Sequence, residues 1–152
     1  KERLVAIAKA SSSLPYVCPI AYVDGHPMLD GGIVDSIPVL RAISQGYKRN
    51  VVVLTRNRGY RKSESDIRVP RFIYTRYPRL RVVLSRRCLV YNKQLEMIER
   101  MEDEGSIIVI RPEAPVRVNR IEKDLTKLQA LYEEGLACAE KVMTPYLSAK
   151  AN

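Results

Sequence analysis

The sequence from Asp24 to Ile33 is DGHPMLDGGI, and its Asp30-Gly31-Gly32 motif indicates both a fold and a chemistry. A carboxylate directly before two glycines can be held at a tight, exposed bend that a substrate or another chain segment approaches closely. Asp-Gly pairs are also the commonest turn formers, so an ordinary turn is the alternative interpretation of the motif. The sequence on either side decides between the two interpretations.

The segments next to the motif alternate between helical and extended patterns. Before it we predict an amphipathic helix at residues 1–9, a Ser- and Pro-rich loop at 10–19, and a hairpin of 21–23 with 27–29 around Asp24-Gly25. After the motif, residues 37–45 are predicted to form a short helix, because Pro38 suits a first turn and Gly46 suits a helix end.

Two runs, residues 51–54 and 106–110, are apolar apart from Ser106, and such runs are typical of strands that are buried on both faces of a parallel sheet. Between them, residues 80–104 carry apolar residues at helical spacing, with a break near Cys88 as an alternative. Strand, long helical crossover and strand predict a parallel βαβ unit. Residues 56–71 are polar and indicate a surface excursion. A last amphipathic helix, with Asp124 as its N-cap, is predicted to reach about Tyr146.

Length and composition indicate one folded domain. The chain has 152 residues, of which 46% are hydrophobic and 28% are charged, as is typical of globular proteins. Its apolar runs fall short of the roughly 20 residues that span a bilayer. The chain starts at Lys1 without a methionine, and its first residues have the pattern of a helix interior. We therefore expect a fragment of a longer protein.

The cysteines and the histidine indicate neither a disulfide framework nor a metal site. Cys18, Cys88 and Cys138 are odd in number and far apart, so free thiols in a reducing cytosol are expected. His26 has no evident ligand partners, and we interpret it as a solvated turn residue. No metal and no cofactor are predicted, and the predicted location is cytoplasmic, with a peripheral membrane position as a variant.

Basic residues give the chain a formal net charge of +9 and concentrate between Lys48 and Arg87. One loop-like stretch holds four cations that we predict as contacts for the anionic headgroups of a membrane surface, namely Arg56, Arg58, Arg61 and Lys62. Tyrosines interleave with the charges, as on surfaces that stack single-stranded nucleic acid. No zinc finger, helix-turn-helix or RNA-binding signature accompanies them, which disfavours nucleic acid as a partner. A solvated basic face is the remaining alternative.

Several short segments together resemble the C-terminal half of patatin-like phospholipases, in particular the bacterial branch of that family. They are Ala10-Ser11-Ser12 with Pro15, Pro19, Gly25, Asp30-Gly31-Gly32 with Pro38, Leu54-Thr55-Arg56, Ile110-Arg111-Pro112 and Arg120-Ile121-Glu122-Lys123-Asp124. The resemblance spans nearly the whole chain, and the Asp-Gly-Gly motif is its specific part. It implies a three-layer α/β fold with a parallel sheet core flanked by helices, plus a C-terminal helical segment. Residues 1 to about 56 would belong to that core, and about 57–152 to a family-specific α/β extension.

The resemblance also implies a serine lipid acyl hydrolase that works with a Ser–Asp dyad. Asp30 matches the aspartate that acts as general base on the serine hydroxyl, and Gly31 and Gly32 are the motif glycines. A Gly-rich loop of the family supplies the oxyanion hole. Such a site needs the base within hydrogen-bonding reach of the nucleophile and donors directed at the developing oxyanion.

The sequence departs from the family because the nucleophile elbow, G-x-S-x-G, is absent. Ser44 lacks the first glycine and follows a predicted helix instead of a strand, so we reject it as the nucleophile. Residues 11–13 are serines without flanking glycines, which we interpret as caps or turns. In the family both missing elements lie N-terminal to the matching region, so this chain is predicted to be inactive alone.

Two alternatives to the hydrolase remain open from sequence: a basic binding module for anionic membrane or nucleic acid, and a catalytically dead relative. A fragment cut through a parallel sheet would also expose an unpaired strand edge. Homo-oligomers formed through that edge are therefore predicted.

Overall fold

The computed structural model describes residues 1–63, 72–119 and 121–148. It divides into two compact units, a first unit of residues 1–38 and 62–94 and a second unit of residues 39–61 and 95–152. The long helix α3, Pro78–Asp103, contributes to both units. The division near residue 56 that the sequence suggests stays a prediction, since the compact units interleave along the chain.

The first unit begins with helix α1, Glu2–Ser11, which confirms the predicted helix and extends it by two residues. Two apolar residues of this amphipathic helix, Leu4 and Ile7, are exposed, and Ala10 is the buried residue of the helix. Within the Ser- and Pro-rich segment that follows, Ser13 is buried and its hydroxyl donates to the Lys9 carbonyl.

An antiparallel hairpin leads to the Asp-Gly-Gly motif and confirms the predicted one. Strands β1, Ala21–Val23, and β2, His26–Met28, pair with Tyr22 opposite Pro27. Asp24 and Gly25 between them have φ of 50° and 79°, as the mirror-image turns of tight hairpins require. His26 is exposed. Gly31–Ile33, directly after the hairpin, forms a single turn of 3-10 helix, η1.

The second unit contains the predicted parallel strand pair. Strand β3, Val51–Val53, lies beside β4, Ile108–Ile110, with Val52 opposite Val109. The expectation of burial on both faces is wrong for β3, because Val52 is buried while Val51 and Val53 are exposed. Helix α2, Val39–Ser44, precedes β3, and Gly46 takes the positive φ of 92° that suits a residue just past a helix end.

The fold class is mixed α/β, as predicted. Within the described residues the strands form two sheets of two strands each, and the three-layer arrangement stays a prediction. Self-association through an open sheet edge likewise stays a prediction.

Helix α3 is continuous from Pro78 to Asp103, so the alternative of a break near Cys88 is wrong. Cys88 is itself buried and lies four residues after Leu84 and seven before Leu95, and Ile98 continues the series. These positions fall on one face of a 3.6-residue helix. Cys88 therefore extends the apolar stripe that a break would have interrupted.

Helix α4, Leu125–Ser148, is the last element. Asp124 caps it as predicted, because its Oδ1 accepts from the Thr126 amide at 2.9 Å. The apolar face predicted from the sequence is only partly covered: Leu125, Leu128, Tyr132 and Leu136 are exposed. Residues 64–71 of the predicted surface excursion lie outside the described residues.

Candidate functional site

Asp30 stands between the hairpin and the 3-10 turn, with its main chain held on both sides. Its N–H donates to the Ser13 carbonyl at 2.9 Å, and its carbonyl accepts from the Ile33 amide at 3.1 Å. Its side-chain Oδ1 accepts from the Gly32 amide at 2.7 Å. Among the residues that the structure describes, none donates a hydrogen bond to Oδ2. One carboxylate oxygen is therefore fixed by the backbone, and the other is available.

The two motif glycines have different roles. Neither takes a positive φ, so the bend does not depend on the left-handed backbone conformation that glycine permits. A Cβ on Gly32 would lie 3.0 Å from Asp30 Oδ1, closer than ordinary packing allows, whereas a Cβ on Gly31 would meet no heavy atom within 4 Å. A side chain at position 32 would therefore push against the Asp30 carboxylate, and one at position 31 would not.

Asp30 lies in the wall of an open cavity of about 310 Å³ within the first unit. The other lining residues are Ile20, Pro27, Met28, Leu29, Gly31, Ile33, Val34, Tyr77 and Leu80. An apolar cavity with a single carboxylate in its wall suits an apolar ligand that carries one reactive polar group.

Tyr77 is the other titratable residue of this wall. A hydrogen bond with the Tyr22 hydroxyl raises the pKa of Tyr77 above its usual value, with a smaller contribution from burial. The Tyr77 hydroxyl is thus engaged with Tyr22 and is a second polar group in the cavity wall.

Three serine hydroxyls of the segments next to Asp30 donate to backbone carbonyls. Ser13 donates to the Lys9 carbonyl at 2.8 Å, and Ser36 donates to the Gly32 carbonyl at 2.7 Å. Ser44, which we rejected as nucleophile, donates to the Arg41 carbonyl at 2.8 Å. None of these three hydroxyls is bonded to the Asp30 carboxylate.

Helix α3 supplies one contact to the motif and one to the segment just after it, and sequence reasoning missed both. Arg87 Nε donates to the Gly32 carbonyl at 3.2 Å, and Gln94 Nε2 donates to Asp35 Oδ1 at 2.5 Å. The partners are 55 and 59 residues apart in sequence. No local pattern connects residues at such separations, so the sequence held no signal for either contact.

Comparison with known families gives two partial matches, and the first of them contains the motif. Residues 1–43 match the model of the patatin-like phospholipase family. The match contains Asp30-Gly31-Gly32 and the whole hairpin, so it confirms the resemblance over this part of the chain. Residues 77–149 match a second model, described as a Domain of unknown function (DUF6363). Neither a curated protein nor a solved structure matches the chain.

The basic loop of residues 56–62 comes after the patatin-like region and before the region of unknown function in the sequence. Arg58 pairs with Asp103 at 2.7 Å and with Glu102 at 3.2 Å. Arg61 donates to Glu99 Oε2 at 2.7 Å, and the Gly59 amide donates to Glu99 Oε1 at 3.0 Å. Two of the four cations predicted to contact headgroups are thus neutralised by carboxylates of the second unit.

Glu99 is the centre of this cluster. The hydrogen bond from Arg61, together with that from the Gly59 amide, lowers the pKa of Glu99 to about 2 although partial burial opposes the change. Arg111, whose side chain is only 9% exposed, pairs with Glu102 and lies near Glu99. The acidic segment Glu96–Glu104 of a strongly basic chain is the sequence signal that could have predicted these pairs.

The other two predicted headgroup contacts lie against aromatic rings. The Arg56 guanidinium is 5.1 Å from the centre of the Tyr60 ring, and the Lys62 ammonium is 4.5 Å from that of Tyr91. Both distances suit cation–π interactions. The headgroup role of all four residues stays a prediction.

The sulfurs of Cys18, Cys88 and Cys138 are free thiols, and Cys88 is buried. In the described part of the chain, His, Cys, Asp and Glu side chains do not gather in groups of three that could hold a metal ion. Of the helices there, none combines the length and apolar character that crossing a bilayer requires.

Proposed function

We propose that this chain supplies the general-base aspartate of a lipid acyl hydrolase with a Ser–Asp dyad. The observation that carries the proposal is the position of Asp30: in the patatin-like region, fixed through one oxygen by the Gly32 amide, in the wall of an apolar cavity. The nucleophilic serine would come from sequence outside these 152 residues. The chain alone would then be inactive.

The free oxygen of Asp30 would take the proton of the serine hydroxyl as the serine Oγ attacks the ester carbonyl carbon. The carbon–oxygen bond to the alcohol then breaks, and the proton passes to the departing alkoxide. Water repeats the sequence on the acyl-serine, with Asp30 taking the water proton and the serine leaving with a proton. Holding Oδ1 on a backbone N–H fixes the direction of the free oxygen, and a base in the correct direction is what general-base catalysis requires.

The cavity wall supports an apolar acyl chain as part of the substrate. Apart from Asp30 and the Tyr77 hydroxyl, its side chains offer carbon and sulfur atoms to a ligand. Burying each methylene of an acyl chain stabilises the complex by about 0.8 kcal/mol. A cytoplasmic enzyme that acts at a membrane surface fits this substrate class.

The alternative of a binding module for anionic surfaces loses support from the ion pairs of Arg58 and Arg61. A cation already paired with a carboxylate gains little from a phosphate, because it must exchange one partner for the other. The basic loop is therefore not where we place the function.

Labelling with an alkyl fluorophosphonate tests the proposal. The full-length protein that contains these residues should hydrolyse a short acyl ester and lose that activity as one serine outside residues 1–152 becomes labelled. The 152-residue chain should show neither hydrolysis nor labelling. Labelling of a serine within the chain would contradict the proposal, as would a full-length protein that neither hydrolyses esters nor reacts with the probe.

A further inference from the structure

We infer that Arg87, in the region of unknown function, is a positioning residue that holds the Asp-Gly-Gly turn of the patatin-like region in its working geometry. The inference rests on the proposed function, because it gives Asp30 a reaction to perform. The family model that matches residues 77–149 describes no role for them. The contacts of helix α3 with the Asp-Gly-Gly turn suggest one.

The first step is that Gly32 is held at both of its peptide groups. Its N–H donates to Asp30 Oδ1 at 2.7 Å. Its carbonyl accepts two hydrogen bonds, from Arg87 Nε at 3.2 Å and from the Ser36 hydroxyl at 2.7 Å. The two groups belong to successive peptide planes joined at the Gly32 Cα, so fixing the carbonyl restricts the backbone rotation at Gly32 by which its amide could turn away from the Asp30 carboxylate.

The second step is the position of the guanidinium itself. Arg87 Nη2 is 3.9 Å from the place where a Cβ of Gly32 would stand, and Asp30 Oδ1 is 3.0 Å from the same place. The planar side chain therefore covers the glycine on the side of the Asp30 carboxylate. A guanidinium with a fixed Nε direction suits this task better than a flexible ammonium.

The third step is that Arg87 differs from the two ion-paired arginines of the basic loop. Arg58 and Arg61 pair with carboxylates, whereas among the described residues no carboxylate lies within ion-pair distance of Arg87. Its defined hydrogen bond goes to the main chain of the motif. A half-buried arginine used in this way points to holding the turn and not to neutralising a charge.

The same helix makes further contributions within the first unit. Leu80 of α3 lines the cavity beside Asp30, and so does Tyr77, the residue just before the helix begins. Gln94 donates to Asp35 just after the turn. The region of unknown function thus helps to form the site and is not merely attached to it.

The kinetic test compares Arg87→Gln with Arg86→Gln in the full-length protein. Arg86 is the exposed neighbour on the same helix, so its replacement removes the same charge without touching the turn. Arg87→Gln should lower kcat about tenfold or more with KM changed less than about twofold, because misdirecting a base affects the chemical step and not binding. Arg86→Gln should leave both constants unchanged.

A second measurement makes the contact itself testable on the 152-residue chain. Amide hydrogen exchange by NMR should show the Gly32 N–H exchanging faster in Arg87→Gln than in the wild type, while the Val52 amide of the second unit exchanges as before. Unchanged exchange at Gly32 would overturn the inference, since Arg87 would then not hold the turn. Faster exchange with an unchanged kcat would overturn it as well, because the turn would not need holding for catalysis.

Failure of the proposed function gives a different result. The full-length protein would then show no hydrolysis that depends on Asp30, and the catalytic consequence of Arg87 would fall with it. The exchange measurement would still decide whether helix α3 orders the motif.

Discussion

Two charged regions of this protein differ in what holds their charges. The Asp30 carboxylate is fixed by a backbone amide, in an apolar cavity wall, with one oxygen left available. In the basic loop, by contrast, Arg58 and Arg61 are paired with Asp103, Glu102 and Glu99. Sequence alone suggested a functional role for both regions.

The difference shows how a functional charge can be told from a structural one. A charge whose partners are the protein's own opposite charges has its interactions already satisfied, and it stabilises the fold. A carboxylate that is oriented by a backbone amide, with no cation bonded to it, has one oxygen left for a ligand. By this criterion we propose the Asp-Gly-Gly turn as the reactive region, whereas Arg58 and Arg61 hold the basic loop against helix α3.

Replacing each motif glycine by alanine tests whether activity depends on the position of the Asp30 carboxylate. Gly32→Ala should lower kcat of the full-length protein about tenfold to a hundredfold, because the new Cβ displaces the Asp30 carboxylate. Gly31→Ala should change kcat by less than about twofold, since its Cβ meets open space. Steady-state kinetics on one ester measure both. Equal effects of the two substitutions would show that the turn does not depend on the carboxylate position.

Replacing Glu99 by glutamine tests whether the ion pairs of the basic loop stabilise the fold. Glu99→Gln removes charge-assisted hydrogen bonds with Arg61 and should lower the free energy of unfolding by about 2 kcal/mol. Glu96→Gln is the control: Glu96 is 62% exposed and lies 3.7 Å from Arg61, so its loss should cost less than about 1 kcal/mol. Urea unfolding of the chain measures both.

The stabilising effect of the Glu99–Arg61 interaction should decrease in acid. Because the pKa of Glu99 is lowered from 4.5 to about 2 in the folded state, its stabilising effect is complete above pH about 4.5 and declines as pH falls toward 2. The difference in unfolding free energy between wild type and Glu99→Gln should therefore shrink across that interval. A constant difference down to pH 3 would contradict the role given to Glu99.

The smallest effect is expected at the membrane. Arg58→Gln should change binding to phosphatidylglycerol vesicles at low salt by less than about twofold, because its charge is already paired, whereas a real headgroup contact is worth about 1 kcal/mol, or roughly fivefold. Arg56→Gln is the comparison, since among described residues no carboxylate pairs with Arg56. Vesicle sedimentation decides, and a fivefold loss with Arg58→Gln would restore the headgroup interpretation.

Sequence predicted those parts of the fold that depend on neighbouring residues. The hairpin follows from Asp24-Gly25, the start of α4 from Asp124, and the long helix from the spacing of its apolar residues. The parallel pairing of β3 with β4 was also predicted, because a long helical crossover between two strands leaves little choice.

What sequence could not predict are contacts between distant residues. Arg87 and Gly32 are 55 residues apart, and Arg61 and Glu99 are 38 apart. Each arginine looked alike in sequence, since a guanidinium carries the same charge whether it meets a carboxylate or a backbone carbonyl. The folded structure distinguishes Arg87, which donates to a backbone carbonyl, from Arg58 and Arg61, which pair with carboxylates.

The rate of ester hydrolysis by two aspartate variants of the full-length protein tests the central claim most directly. Asp30→Asn keeps the size of the side chain and an acceptor for the Gly32 amide but not a base, so kcat should fall at least about a hundredfold with unfolding unchanged. Asp24→Asn, at an exposed turn position with a φ of 50° that asparagine tolerates, should match the wild type. Wild-type kcat in Asp30→Asn would contradict the assignment of Asp30 as the general base.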